Sequence, residues 1–412
     1  MRRLRVDQLQ VGMYVQELCG NWFDSPFWKK SFPIDTRAKL DAILSSKITA
    51  AVIDPARGLD LAEDDTPDDD IQAEPAAPAA SGAPFRYAPV QASTMDAELG
   101  RAGVLLSKSK EAVCTMFQEA RMGRAIALES AQPLVDEIAL SVMRNPDALV
   151  GLVRLKSADD YTYMHSVAVC ALMIALARQL GLADEETREL GLAGLLHDIG
   201  KMQVASEILN KEGKLTDDEF VSVKMHPVAG HAMLLQAHSI GPIALEVCLH
   251  HHEKMDGSGY PDGLAGEQIS LHARMGAICD VYDAITSDRP YKRGWCPAES
   301  LQKMTQWCLG HFDPALFGAF VKCMGIYPVG TLVRLKSGFL AVVVDHRSGK
   351  ALVKPLVRVF FCTSTKAPVT PRLLDLAAPG DAIFGREDAA PWGITDLAQY
   401  WLPPELRLAH AA

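Results

Sequence analysis

The 412-residue chain contains no Cys-x-x-Cys pair, and its nine cysteines are an odd number scattered singly. That speaks against a zinc ribbon and a disulfide framework. Most cysteines sit among apolar neighbours, as in "LEVCLHH" (245–251), and read as buried thiols of a reducing cytoplasm. Excess positive charge is missing too: 41 Lys and Arg face 51 Asp and Glu, a net charge of −10. A general affinity for nucleic-acid polymers is therefore not expected, although a local basic pocket for a small phosphorylated ligand is compatible with this balance. Long apolar runs are absent. The longest, "VAVCALMIALA" (167–177), is too short to span a bilayer and is followed by Arg178 and Gln179. It reads as a buried core helix, and no membrane insertion is expected. The start, "MRRLRVDQLQVGMYV", is basic but lacks the apolar stretch of a secretory signal.

What remains is an ordinary globular balance, 49% hydrophobic and 22% charged, long enough for two or three domains. Residues 1–55 read as a small α+β domain: "VGMYVQEL" (11–18) and "ITAAVID" (48–54) as strands, "TRAKLDAILSS" (36–46) as a helix. Residues 56–92 turn acidic and then Ala/Pro-rich, and read as a disordered linker. Residues 93–147 carry two helical patterns, at 95–122 and 125–145. Residues 148–325 are almost entirely helical in pattern. Thr216 and Glu219 fit a capping box, and Pro227, Pro242, Pro297 and Pro314 each stand near a helix start. Residues 326–412 change period: "GTLVRLKSGFLAVVVDH" alternates up to "RSGK", then "ALVKPLVRVFF" follows, as in a hairpin. A β-rich C-terminal appendage is expected. No internal repeat is visible.

Against this frame, five separated helical segments carry metal-capable side chains. "YTYMHSVAV" supplies His165; "GLLHDIGK" supplies His197, Asp198 and, one turn on, Lys201; "KMHPVAG" supplies His226. "HHHEKMDGSGYPDG" (250–263) supplies His251 and His252 ahead of a glycine-rich turn, and "AICDVYDAITSDRPYK" supplies Asp280 and Asp283. A lone histidine on an apolar helix is usually a satisfied core residue, and His231, His238, His272 and His311 are set aside on that ground. Five segments together are not explained that way. Imidazoles mixed with carboxylates suit Fe, Mn or Zn better than Mg or Ca. The ligands are too many for one tetrahedral zinc and fit two adjacent metals sharing a carboxylate.

Residues 148–325 resemble the HD-GYP family, a branch of the HD metal-dependent phosphohydrolases. The resemblance rests on "HDIGK" (197–201), "HHEKMDGSGYP" (251–261), "DVYDAITSDRPYK" (280–292) and "FDP" (312–314), in the family's order and spacing. The segments "GMYV", "WFDSPFW" (22–28) and "FPID" (32–35) resemble a small domain of unknown function often found ahead of HD-GYP domains. The fold this implies is mainly α: a helical HD-type metal-dependent phosphohydrolase core, with the small α+β N-terminal domain and the β-rich appendage beside it.

The resemblance also implies an activity, hydrolysis of the bacterial second messenger cyclic di-GMP to linear pGpG or on to GMP. Carried over residue by residue, the family's binuclear site matches His165, His197, Asp198, His226, His251, His252 and Asp280, with Asp198 as the bridging carboxylate. Lys201 matches the lysine facing the scissile phosphate. Gly259, Tyr260 and Pro261 of the loop, with Asp283, Arg289 and Lys292, match its substrate contacts. Some members hold a third metal through a glutamate one turn before the first histidine. Here that residue is Tyr161, a phenol with an ordinary pKa of about 10. Two divalent ions are therefore expected, Fe or Mn, and no third.

The chemistry expected is attack of a hydroxide supplied between the two metals on phosphorus. Lys201 adds positive charge at the phosphoryl oxygens, and Asp283 orients the lysine or assists proton transfer. Arg289 and Lys292 hold the second phosphate. Competing readings are a slow cyclic di-GMP sensor, an HD phosphohydrolase for another nucleotide, and, least of all, a helical scaffold. The terminal domains are candidates for a protein partner or self-association. The expected compartment is the cytoplasm.

Overall fold

The computed structural model describes residues 2–19, 32–44, 50–55, 57–59, 85–124, 128–155, 161–211, 213–237, 240–288, 294–346 and 353–410. "WFDSPFW", most of the expected linker and the "RSGK" turn lie outside them. The chain divides into two compact units, Met1–Gly82 and Ala83–Ala412.

The first unit is an antiparallel sheet with one helix. β1 (Arg2–Arg5), β2 (Tyr14–Cys19), β3 (Phe32–Pro33) and β4 (Ala50–Ile53) lie in the order β1-β4-β2-β3, and α1 spans Arg37–Leu44. Alternation explains the core: Met13, just ahead of β2, and Val15 within it are buried, as are Ala51 and Ile53 of β4, and Leu40 and Ile43 of the helix join them. The unit extends past residue 55, since Leu59 N donates to Gly12 O at 2.9 Å.

In the second unit, residues 85–92, read above as the end of the linker, have fixed partners. Tyr87 donates from its backbone N to Asp184 and from its hydroxyl to Asp136, and Arg188 lies over the Phe85 ring. Two aromatic anchors suffice where composition suggested none. α2 (Met95–Arg121) starts at Thr94, whose side chain accepts from Ala97 N. α3 (Leu128–Arg144) and α4 (Pro146–Val153) follow. Both α2 and α3 share one core with α5 (Tyr161–Leu180) and α6 (Asp184–Leu196), so residues 93–147 belong to the helical body. The 167–177 run of α5 is buried throughout. This is the one described helix long and apolar enough to cross a membrane, and it is mostly enclosed by protein.

A short α7 (Ser206–Leu209) leads to α8 (Asp217–Lys224), α9 (His226–Gln236), α10 (Pro242–His250), α11 (Leu271–Thr286), α12 (Pro297–Trp307) and α13 (Pro314–Met324). The Thr216–Glu219 capping box is present at α8, and all four prolines stand in the first turns of their helices. β5 (Leu332–Leu335), β6 (Phe339–Asp345), β7 (Leu356–Cys362), β8 (Ala367–Asp375) and β9 (Ile383–Arg386) form an antiparallel sheet in the order β8-β7-β6-β5-β9, followed by α14 (Pro404–His410). β6 and β7 pair as the expected hairpin, with Val342 opposite Arg358. The sheet's core includes Met95 and Leu99 of α2 and Ala148 of α4.

Candidate metal centre

Four helix ends and one helix interior converge. His165 projects from α5. α6 stops at Leu196, and the chain turns through His197 and Asp198 into a 3-10 helix, Ile199–Gln203, that carries Lys201. His226 opens α9, His251 and His252 follow α10, and Asp280 lies within α11. One glycine permits the approach of two of these pieces. A Cβ on Gly200 would stand 1.9 Å from His226 O and 2.4 Å from Gly230 N, so only glycine lets the Asp198 turn lie against α9.

Asp198 sits at the middle. Its Oδ1 is 3.2 Å from His226 Nε2 and 3.8 Å from His251 Nε2. Its Oδ2 is 3.4 Å from His197 Nε2 and 3.5 Å from His165 Nε2, and it also accepts from Lys201 Nζ. Asp280 Oδ1 lies 3.0 Å from His165 Nε2, and its Oδ2 lies 3.8 Å from His252 Nδ1. Ligand atoms of His165, His197 and Asp280 form one compact group, and those of Asp198, His226, His251 and His252 form a second. The seven residues singled out as ligands are thus brought together.

The outward ring nitrogens fix the tautomers. His197 Nδ1 donates to Gly194 O (2.8 Å), His226 Nδ1 to Val223 O (2.7 Å) and His251 Nδ1 to Val247 O (3.0 Å). A carbonyl only accepts, so each Nδ1 carries the hydrogen and each Nε2 points a lone pair inward. Two of these lone pairs face one another, with His226 Nε2 3.4 Å from His251 Nε2. His197 Nε2 and Asp198 Oδ1 are buried with no hydrogen-bond partner. Buried acceptors without donors are costly, and divalent cations would satisfy them. The residues fit such ions.

Electrostatics agree with this reading. Burial opposes charge on Asp198, but the Lys201 ammonium beside it outweighs burial and holds the carboxyl well below the usual carboxylate range. Asp280 is likewise held well down, by His165 against burial. Burial and neighbouring imidazoles push His251 well below its ordinary value, and burial pushes His252 down to about 3. Ionised carboxylates and neutral imidazoles are the forms that bind metal. His165 moves the other way: burial opposes its charge, but bonds to Asp280 and Asp283 raise it.

Asp283 stands behind His165, its Oδ2 2.6 Å from His165 Nδ1 and its Oδ1 accepting from Ser287. Tyr260 stacks on His252, ring centroids 4.7 Å apart, and its backbone N donates to His252 O. Gly259 allows this fold-back, since a Cβ there would meet Glu253 Cα at 2.4 Å. Arg289, Lys292 and the Tyr161 side chain lie outside the described residues.

Sequence reasoning passed over Glu253. It is buried, and its Oε1 accepts from the backbone N of Asp262 (2.7 Å) and Gly263 (3.0 Å), directly after Gly-Tyr-Pro. His250 faces away from the centre, bonded to Glu246 and Asp262. No signal in "HHHE" separates a metal-facing acid from a loop anchor.

Comparison with known proteins bears on the same residues. The sequence matches the family described as "HD domain" over residues 144–316 and the "Domain of unknown function (DUF3391)" over residues 1–131. The latter therefore runs beyond the first compact unit and through α2. A cyclic di-GMP phosphodiesterase of Pseudomonas aeruginosa is 52% identical over 407 residues, covering 97% of this chain and 95% of that protein. A cyclic di-GMP phosphodiesterase response regulator of Xanthomonas campestris is 42% identical over 148 residues, 36% of this chain and 39% of that one. A 3'3'-cGAMP-specific phosphodiesterase of Vibrio cholerae is 37% identical over 165 residues, 40% of this chain and 38% of that one.

Proposed function

This chain belongs to the HD-GYP family of HD metal-dependent phosphohydrolases, and on that premise we propose that it hydrolyses cyclic di-GMP to linear pGpG. The observation that carries this reading is Asp198, set between two groups of ligands with Lys201 bonded to it. It is supported by the 52% identity, over nearly the whole chain, to a protein named for that activity.

A phosphodiester is anionic and repels nucleophiles. His165, His197, Asp198, His226, His251, His252 and Asp280 would hold two divalent ions, which would supply Lewis acidity and activate water at neutral pH. Fe or Mn suits the mixed imidazole and carboxylate donors. The chain's own groups do the rest. Lys201 places an ammonium beside Asp198, where it offsets charge on the phosphoryl oxygens. Asp283 fixes the ring of His165 through Nδ1. Tyr260, stacked on His252, forms one wall for the substrate, and Arg289 and Lys292 hold its second phosphate. The phosphorus–O3′ bond breaks, and the water oxygen takes its place on phosphorus. Tyr161, in place of a third-metal glutamate, favours pGpG as the end product. The eight cysteines from Cys114 to Cys362 are unpaired, which supports the cytoplasm as the compartment.

The test is turnover by protein purified without oxygen, its metal content measured on the same sample, with Asp198→Ala as control. About two ions per chain, pGpG as product and an inactive control are expected. Tight binding with full metal loading and no product would leave a sensor. Since one relative is named for 3'3'-cGAMP, that substrate is assayed in parallel, and faster turnover of it would replace cyclic di-GMP.

A further inference from the structure

Helix α8 presents features that the metal centre does not use. Phe220 is 50% exposed, a costly position for a phenyl ring. Lys224, one turn on, carries its ammonium 5.2 Å from the Phe220 ring and 5.9 Å from the Tyr260 ring. Lys224 is half-buried, and no ion pair is formed by it among the described residues of a chain with ten surplus negative charges. Tyr260 in turn stacks on His252. A row therefore runs outward from the metal centre: imidazole, phenol, ammonium, phenyl.

The row is held firmly. The capping box at Thr216 and Glu219, and the ion pair of Lys211 with Glu219, fix the start of α8. Its last turn is tied to a metal ligand, because His226 Nδ1 donates to Val223 O. Lys224 thus stands two residues from His226 at a set distance from the centre, pre-ordered by two aromatic faces.

We infer that Phe220 and Lys224 form an outer nucleotide subsite, in which Phe220 stacks a base and Lys224 holds a phosphate of the cyclic dinucleotide. The spacing suits that chemistry. Aromatic rings accept any base face, and an ammonium between two rings meets the backbone phosphate beside a stacked base. The inference rests on the phosphodiesterase reading above and adds specificity residues to it.

Steady-state kinetics with cyclic di-GMP on the full chain test it. Phe220→Ala should raise KM about tenfold through lost stacking. Lys224→Ala should raise it about tenfold through the lost charged contact, and Lys224→Arg should restore most of that. In all three, kcat should stay within about twofold of wild type, with metal content unchanged. An unchanged KM would overturn the subsite. So would a joint fall in kcat and metal content at constant KM, which would make α8 only a support for His226. Wild-type protein that does not turn over cyclic di-GMP would instead refute the activity. The subsite is then read from GMP binding: weaker binding by the variants keeps it, and equal binding removes it.

Discussion

The carboxylate of Asp283 lies 2.6 Å from Nδ1 of His165, on the side of the ring opposite Asp280. An acid one turn beyond the candidate ligand Asp280 thereby reaches the back of His165, a candidate ligand on another helix. This fixes the tautomer of His165 and raises its basicity toward a metal.

Replacing Asp283 with Asn keeps the shape and removes the charge. Metal affinity should fall by about 10- to 100-fold, read by titrating the metal-free protein. Activity should return at saturating metal. Undiminished affinity would show that the pair only packs the core.

Glu253 carries the loop. Glu253→Ala takes the acceptor from the N–H groups of Asp262 and Gly263, which lie on exposed residues and can turn to water, a cost of about 0.5–1.5 kcal/mol for each bond. Its KM should rise while its metal content holds. Glu253→Gln keeps a carbonyl oxygen and should stay close to wild type. Denaturation midpoints and KM values of the two variants check this together.

Gly200→Ala drives a methyl into the backbone of His226 and Gly230. The Asp198 turn must then part from α9, which carries Asp198 away from His226. Metal content per chain should drop, and stability should fall by about 1–3 kcal/mol. Full occupancy in this variant would contradict the role given to that close approach.

His346 offers a pH test away from the metals. Burial opposes its charge, but Asp147, which accepts from Nδ1 at 2.8 Å, raises it above its ordinary value. Tyr327 O accepts from Nε2, so the protonated ring is fully bonded. A raised folded value means a stabilising contribution present below the unfolded value of about 6.5 and lost as pH rises through the folded one. The stability gap between wild type and His346→Gln should therefore shrink as pH rises from below about 6.5 into the alkaline range. Urea midpoints across that range measure it, and a gap independent of pH would rule out the charged ring.

Much of this architecture is legible in the sequence because local chemistry fixes it. Pro227, Pro242, Pro297 and Pro314 stand in first turns because a missing N–H costs nothing there, and Thr216 with Glu219 needs no tertiary help to cap α8. His165, His197, Asp198, His226, His251, His252 and Asp280 are conspicuous as ligand types set in apolar helices, and the structure gathers them. Other features depend on distant partners. Phe85 and Tyr87 look like linker until Arg188 and Asp136 receive them. β8 holds Pro371 and is half exposed, so the alternation that reveals β6 is missing from it. Glu253 beside three histidines reads as one more ligand or as solvated charge, and only the folded loop shows its bonds to backbone.

The joined cores have a consequence for modularity. Trp401, from the far end of the chain, lies 3.4 Å from where a Cβ on Gly151 of α4 would stand, and Phe117 of α2 meets Tyr163 of α5 edge to face. A cassette cut at residues 148 and 325 would bare the face of α5 that meets α2 and the face of α4 that meets Trp401. The helical body and the sheet belong to one compact unit, Ala83–Ala412, and the ligand-bearing helices travel with that sheet.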